Sequence, residues 1–247
     1  MQTVKGTVVS LPPSPKQNQI LAALPAAEYA RLLPCLEMAE LKLGDVLYEP
    51  GVPMTHAYFP VSGIISLLYV MDGGASAEIA ITGNEGLVGV SLFMGGESTT
   101  SRAVAQNAGT SYRLEANVLR HEFALGGPLQ YLVLRYTQAL MTQMTQTAAC
   151  NRHHTLDQQL CRWLLLSLDC LAGSELVMTQ QLIANMLGVT QEGVIKALGV
   201  LQSAGLLNHN NGVITVTDRP ALERRVCECY LVVKNEFSRL LPYELAA

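Results

Sequence analysis

Gln191, Glu192, Ile195 and Lys196 share one face of a stretch whose apolar residues, Val194, Ala197, Leu198 and Leu201, recur at helical spacing on the other. That outer set, with Gly199 beside it, has no role in a core. Its chemistry suits the edges of base pairs: glutamine pairs bidentately with adenine, lysine donates to guanine, glutamate accepts from cytosine, and isoleucine meets a thymine methyl. Such contacts need a helix end aimed into a groove, and polar groups on the backbone to hold the register. Thr179 and Thr190, each just ahead of a helical run, and Asn208, Asn210 and Asn211 beyond it, supply hydroxyl and amide donors for that purpose.

The elements that must position these residues are two short capped helices and a hairpin. Thr179 is the expected N-cap of the first helix, with Met178 placed to staple onto Ile183; Val189, Thr190 and Val194 repeat the arrangement for the second. Between them Gly188 tolerates the left-handed backbone that a helix-turn-helix corner needs, and Ala184 is small where the helices would cross. After Gly205 ends the second helix, Leu206 to Val216 reads as two strands around Asn211-Gly212, a β-wing. A plain helical hairpin with a solvated polar face would explain the helices but not caps, corner and wing together.

The 247 residues exceed the usual size of one domain, and a hydrophobic content of 49% can fill two cores. Formal net charge is −4, and from Cys150 onward eight Lys or Arg face nine Asp or Glu. Non-specific attraction to phosphate is therefore modest, so affinity for double-stranded DNA would depend on dimerisation, helix N-termini and a matched site. No signal peptide or spanning segment is visible, since the apolar run Trp163 to Leu166 is far too short; a cytoplasmic chain with no membrane partner is expected. Six cysteines, at 35, 150, 161, 170, 227 and 229, form no disulfide framework or zinc-knuckle spacing and read as buried thiols. Cys227 and Cys229 stand two apart on a helical stretch and so point in different directions. With His153-His154 lacking third and fourth ligands nearby, neither a metal nor a cofactor is expected.

From the front, residues 1–17 read as a loose arm, followed by a helix from about Gln19 to Leu33. Short β-type runs then follow: Ala39 to Leu43, Val46 to Glu49, Ala57 to Val61, Ile64 to Val70, Ala77 to Ile81, Leu87 to Phe93, Arg102 to Ala108 and Thr110 to Leu114. That spacing, with no intervening helix, predicts a sandwich or roll. A long helix begins after Gly126-Gly127-Pro128 and runs to about His154, with Leu129, Val133, Tyr136, Leu140, Met144 and Thr147 at three-four spacing, the pattern of a homodimer seam. Burial of that face against the roll within one subunit is the alternative, and it leaves Leu132, Leu134 and Met141 uncovered. A helix from about Leu156 to Leu171 leads into the module described above. The fold class is therefore α+β: a β-roll over 18–126, a dimerisation helix over 127–154, and a winged helix-turn-helix with a helical tail over 155–247. No glycine-rich phosphate loop, paired catalytic carboxylates or nucleophile elbow is visible, so enzymatic activity is not expected; Gly83-Asn84-Glu85-Gly86 reads as a turn.

This order of parts resembles the Crp/Fnr family of bacterial transcription regulators. Gly44-Asp45-Val46-Leu47-Tyr48-Glu49-Pro50-Gly51 and Ala57-Tyr58-Phe59-Pro60-Val61-Ser62-Gly63 are similar to the family's opening roll signature, and Thr179, Ala184, Gly188, Val194 and Lys196 to its helix-turn-helix. The resemblance covers about Leu33 to Val216. It implies a homodimer on an inverted repeat near a promoter, with RNA polymerase as a further partner and a roll that senses an effector. Cyclic-nucleotide-binding members resemble one another in a Gly-Glu pair for the ribose hydroxyl and an Arg-Ser or Arg-Thr step for the cyclic phosphate. Here Gly89 is followed by Val90, and Thr99-Thr100 stands where the arginine step is expected. Arg102 lies three positions on, facing the other way on a strand unless the gap is placed differently. Gly89, Val90, Thr99, Thr100 and Arg102 thus mark an effector pocket that lacks the nucleotide-binding chemistry, and the effector is unknown. Oxygen-sensing members share an N-terminal cysteine cluster, whereas Cys35 stands alone here; His56 or His121 singly makes a weak haem ligand. The competing reading is a signalling protein whose winged helix no longer reads DNA.

Overall fold

Short strands close into a roll because each has an apolar face to hide, and the strand Ile65–Val70 is covered on both faces at its first four residues. In the computed structural model, which describes residues 13–171 and 173–241, these are β1 (Glu37–Leu41), β2 (Val46–Tyr48), β3 (His56–Pro60), β4 (Ile65–Val70), β5 (Ser76–Thr82), β6 (Arg102–Ala105) and β7 (Gly109–Glu115). They pair antiparallel in two sheets, ordered β1-β7-β3 and β2-β6-β4-β5. Leu41, Phe59, Ile65, Leu67, Ala103 and Leu114 meet in their shared core.

Three expectations need correction here. Leu87 to Phe93 is not a strand: Val88 makes a single bridge to Tyr58, then Gly89 at φ 114° turns the chain into one 3-10 turn, Val90–Leu92. A side chain at Gly89 would come within 3.3 Å of the Ala57 backbone, so the turn and the close approach both need glycine. The first helix is two, α1 (Gln19–Ala22) and α2 (Ala26–Leu32), because Pro25 removes a backbone donor between them. Of the arm, residues 1–12 lie outside the described part, while Pro15–Gln17 forms a 3-10 turn and Tyr112 donates to the Pro13 carbonyl at 2.6 Å.

The third correction concerns the long helix. After α3 (Ala116–Ala124), α4 runs from Pro128 to His153. Its Leu129, Val133, Tyr136 and Leu140 are buried within this one chain, in the core of the roll, with Met144 packed on the same cluster. The hydroxyl end of the Tyr136 ring presses against Gly86, where any Cβ would clash with it, and its hydroxyl meets Thr82 Oγ1 at 2.9 Å. These five residues are therefore the intramolecular face of α4, since they fill an apolar sheet that would otherwise face water. The exposed stripe is Tyr131, Leu134, Gln138, Met141, Thr145 and Ala148.

A second core is built on α5 (Leu156–Asp169), started by a Thr155/Gln158 capping box, with α6 (Gln180–Leu187), α7 (Gln191–Ser203) and the three-stranded wing β8 (Glu175–Val177), β9 (Leu207–Asn210) and β10 (Val213–Val216), ordered β8-β10-β9. It continues onto the outer face of the roll through Ile64, Leu68 and Ile81, so the winged module and the roll share one apolar joint. Expected to pack on the winged module, the tail, α8 (Arg219–Arg225) and α9 (Cys229–Leu240), also covers α4. Arg135 Nε donates to the Leu240 carbonyl at 2.5 Å, Gln138 donates to Glu236, and Phe237 packs edge-on to Tyr136. No described helix is long and apolar enough to cross a membrane.

Candidate nucleic-acid interface

Both helices of the corner start as local chemistry dictates. Thr179 Oγ1 accepts from the Leu182 amide and Thr190 Oγ1 from the Gly193 amide, each at 3.2 Å, meeting orphan donors of the first turn. Gly188 ends α6 at φ 66°, ψ 35°, the left-handed conformation that a side chain would strain, and a Cβ there would also press on Ala77 of β5. Val194, Ala197, Leu198 and Leu201 bury one face of α7. On the opposite face Gln191, Glu192, Ile195 and Lys196 are exposed, and among the described residues their side chains make no hydrogen bond or ion pair. Asn211 and Gly212, at φ 49° and 76°, form the tight turn of the wing. Leu207 turns in, whereas Asn208, Asn210 and Asn211 face solvent. The wing is braced on α7 by Gln202 Oε1, which accepts from the His209 amide at 3.1 Å. The result is one exposed edge combining a capped helix N-terminus, unspent polar groups of both kinds and a wing of amides.

In the roll, Gly89 and Val90 lie at the 3-10 turn, and Thr99 sits in the loop before β6, its carbonyl accepting from the Gly51 amide at 2.8 Å and its hydroxyl 3.1 Å from Ser101 Oγ. Thr100 is exposed. Ala103 and Ala105 carry the inner face of β6, which puts Arg102 on the outer one, where its Nε is 2.7 Å from Glu49 Oε2. No carboxylate follows Gly89, and the guanidinium nearest in sequence is engaged elsewhere. A cavity of about 250 Å³ lies where β5, α4, α5 and α9 meet, lined by Ile81, Glu85, Gln143, Asp169, Lys234 and Phe237 and by none of the five residues above. Burial pushes the Glu85 carboxyl up from its ordinary value.

Residues 38–124 match the cyclic nucleotide-binding domain and residues 158–225 the Crp-like helix-turn-helix domain. With these two domains in this order, the chain is similar to the Crp/Fnr family of transcription regulators. Solved structures of similar fold include FixK2 from Bradyrhizobium japonicum, 16% identical with a TM-score of 0.67, covering 78% of this chain and 98% of that one. The c-di-GMP-responsive global regulator CLP from Xanthomonas campestris is 18% identical with a TM-score of 0.63, covering 78% and 99%. A CRP-family transcriptional regulator from Thermus thermophilus is 19% identical with a TM-score of 0.64, covering 76% and 95%. A search of curated proteins finds no match. The Crp-like helix-turn-helix domain makes this chain a DNA-binding transcription regulator.

One grouping in this regulator runs against its sequence. Cys227 precedes α9 and Cys229 opens it, so the two do not diverge around a helix; both are buried and converge with Cys150 and His154 from the last turn of α4. The four ligand atoms lie within 4.8 Å of one another. The i, i+4 spacing of Cys150 and His154 was the available signal, and its partners 73 or more residues on could be joined to it only by the packing of α9 on α4.

Proposed function

We propose that this regulator is a homodimer that reads an inverted repeat by placing α7 in the major groove of each half-site, and that it does so without cyclic AMP or cyclic GMP. What carries the proposal is the outer face of α7, where Gln191, Glu192, Ile195 and Lys196 are exposed and unpaired while Val194, Ala197, Leu198 and Leu201 lock the opposite face into a core. Thr179, Thr190, Asn208, Asn210 and Asn211 would take phosphate contacts, which the weak net charge makes the more necessary. Half-sites would lie about one helical turn, ~34 Å, apart.

The dimer would form on the exposed stripe of α4, where Tyr131, Leu134, Gln138, Met141, Thr145 and Ala148 keep the alternating three-four spacing of a two-helix seam. A cyclic nucleotide would meet Val90 where a carboxylate is needed and Thr99 in place of a guanidinium. Two lost charge-assisted bonds at roughly 1.5 to 3 kcal/mol each lower affinity by a factor of hundreds or more.

Selection of bound sequences from a random library by the purified protein tests the function directly. An enriched palindrome supports it; uniform weak binding would favour a signalling protein whose winged helix has lost DNA.

A further inference from the structure

We propose that Cys150, His154, Cys227 and Cys229 hold one zinc ion in a closed Cys3His site that fastens the tail to the end of α4. Cys150 and His154 share one face of the last turn of α4 and its C-cap, being four residues apart. Cys227 comes from the link between α8 and α9 and Cys229 from the first position of α9. The described separations are 3.6 Å between the Cys150 and Cys227 sulfurs and 3.5 Å between Cys229 Sγ and His154 Nδ1. Tetrahedral zinc with bonds of about 2.3 Å to sulfur and about 2.05 Å to nitrogen needs edges of about 3.8 and about 3.6 Å. These two edges match a tetrahedral site to about 0.2 Å, and with all four ligand atoms within 4.8 Å of one another the widest edge needs to close by no more than about 1 Å to take the ion, whereas a disulfide would require the sulfurs to close to about 2.05 Å.

The surroundings complete the site. His154 presents Nδ1 to the sulfurs while its Nε2 lies 3.4 Å from Glu228 Oε2, the carboxylate–histidine arrangement that fixes the ring and its tautomer at a metal. The main-chain carbonyl of His154 accepts from Gln159 Nε2 at 2.9 Å, which pins the ligand's backbone. Three thiolates and one divalent cation carry a net charge of −1, and the Arg162 guanidinium, buried beside Cys150 with its Nε lacking a partner, supplies the opposite sign. The three buried cysteines also form a cluster separate from both apolar cores, with Val226 the only hydrophobic side chain packed on it among the described residues, so hydrophobic burial does little to hold this corner together. With four protein ligands and no open position, the ion would be structural: it would couple the end of the roll-packed helix to the tail that covers it.

The test uses the full chain, purified anaerobically under reducing conditions, exposed to zinc and desalted. About one zinc per chain is expected, and replacement by cobalt should give the visible absorption of a tetrahedral thiolate complex. Glu228→Gln should weaken zinc binding about ten- to a hundredfold, and Cys229→Ser should lower the sulfur-to-cobalt charge-transfer intensity from that of a three-thiolate to that of a two-thiolate centre, while Cys35→Ser, at an exposed cysteine outside the cluster, should change nothing. Wild-type protein that keeps neither metal would overturn the site, as would iron–sulfur absorbance in its place. So would a Cys150→Ser/Cys229→Ser variant that retains the wild-type far-ultraviolet dichroism and binds zinc as tightly as the parent. Metal content is measured without DNA, so the outcome is independent of the operator-binding proposal.

Discussion

Glu78→Gln should remove a pH dependence of stability that the wild-type chain shows between mildly acidic and neutral pH. Glu78 is on β5, 8% exposed, at the joint between the roll and α5. Burial pushes its carboxyl from 4.5 up to about 7, with the Ser66 hydroxyl and the Arg162 guanidinium, which faces it from α5, holding it down in part. The hydrogen bonds agree with a retained proton. Ser66 Oγ lies 2.5 Å from Glu78 Oε2 and 2.9 Å from Gln106 Oε1, and a hydroxyl with one proton can donate to only one of them. A neutral Glu78 donating to Ser66, with Ser66 donating to Gln106, satisfies all three. A carboxyl that binds its proton more tightly when folded contributes stability that is fully present below its unfolded pKa of 4.5 and lost as pH rises through about 7. The rise from 4.5 to about 7 corresponds to about 3 kcal/mol, which in a chain of this size moves Tm by roughly 6 to 12 °C. Glutamine keeps the shape and a donor but does not titrate. The variant should therefore melt close to wild type at about pH 5 and above it at about pH 8, followed by circular dichroism at constant ionic strength. Parallel melting curves for the two proteins across that range, or a glutamine variant that is less stable at the alkaline end, would refute the reasoning.

Met141→Lys on the exposed stripe of α4 should give a folded monomer with weakened operator binding, visible in sedimentation velocity; an undiminished dimer would move the seam elsewhere. Leu140→Lys, buried in the roll core of the same chain, should instead lower the melting temperature by an amount that reflects a buried unpaired charge, several kcal/mol, and a merely monomeric but stable product would contradict the fold. Glu192→Ala and Lys196→Ala should each cost about 1 to 3 kcal/mol at the selected site and relax base choice at one position per half-site; the same changes leaving the selected sequence intact would misplace the recognition helix. Cyclic AMP and cyclic GMP should give no calorimetric heat at micromolar concentration, whereas saturable binding abolished by Arg102→Ala would show that Arg102 reaches the phosphate.

Residues close in sequence carried most of what was legible beforehand. Thr179, Gly188, Thr190, Asn211 and Gly212 specify caps, corner and turn through contacts spanning a few residues, so the winged helix could be read directly, with its exposed and buried faces. The alternation of the roll strands was legible for the same reason, except at Leu87 to Phe93, where apolar composition suits a strand and only the approach of Gly89 to Ala57 makes a turn. Periodicity in α4 identified an apolar face but not its partner: Leu129, Val133, Tyr136 and Leu140 bear the same spacing whether they meet a second copy or the roll, and the roll covers them. The cluster of Cys150, His154, Cys227 and Cys229, and the desolvation that pushes the Glu78 carboxyl up, depended on tertiary structure altogether. A ligand set drawn from two elements, or a carboxyl desolvated between two domains, exists only once those elements are packed, because burial and distance are properties of the folded arrangement and not of the order of residues.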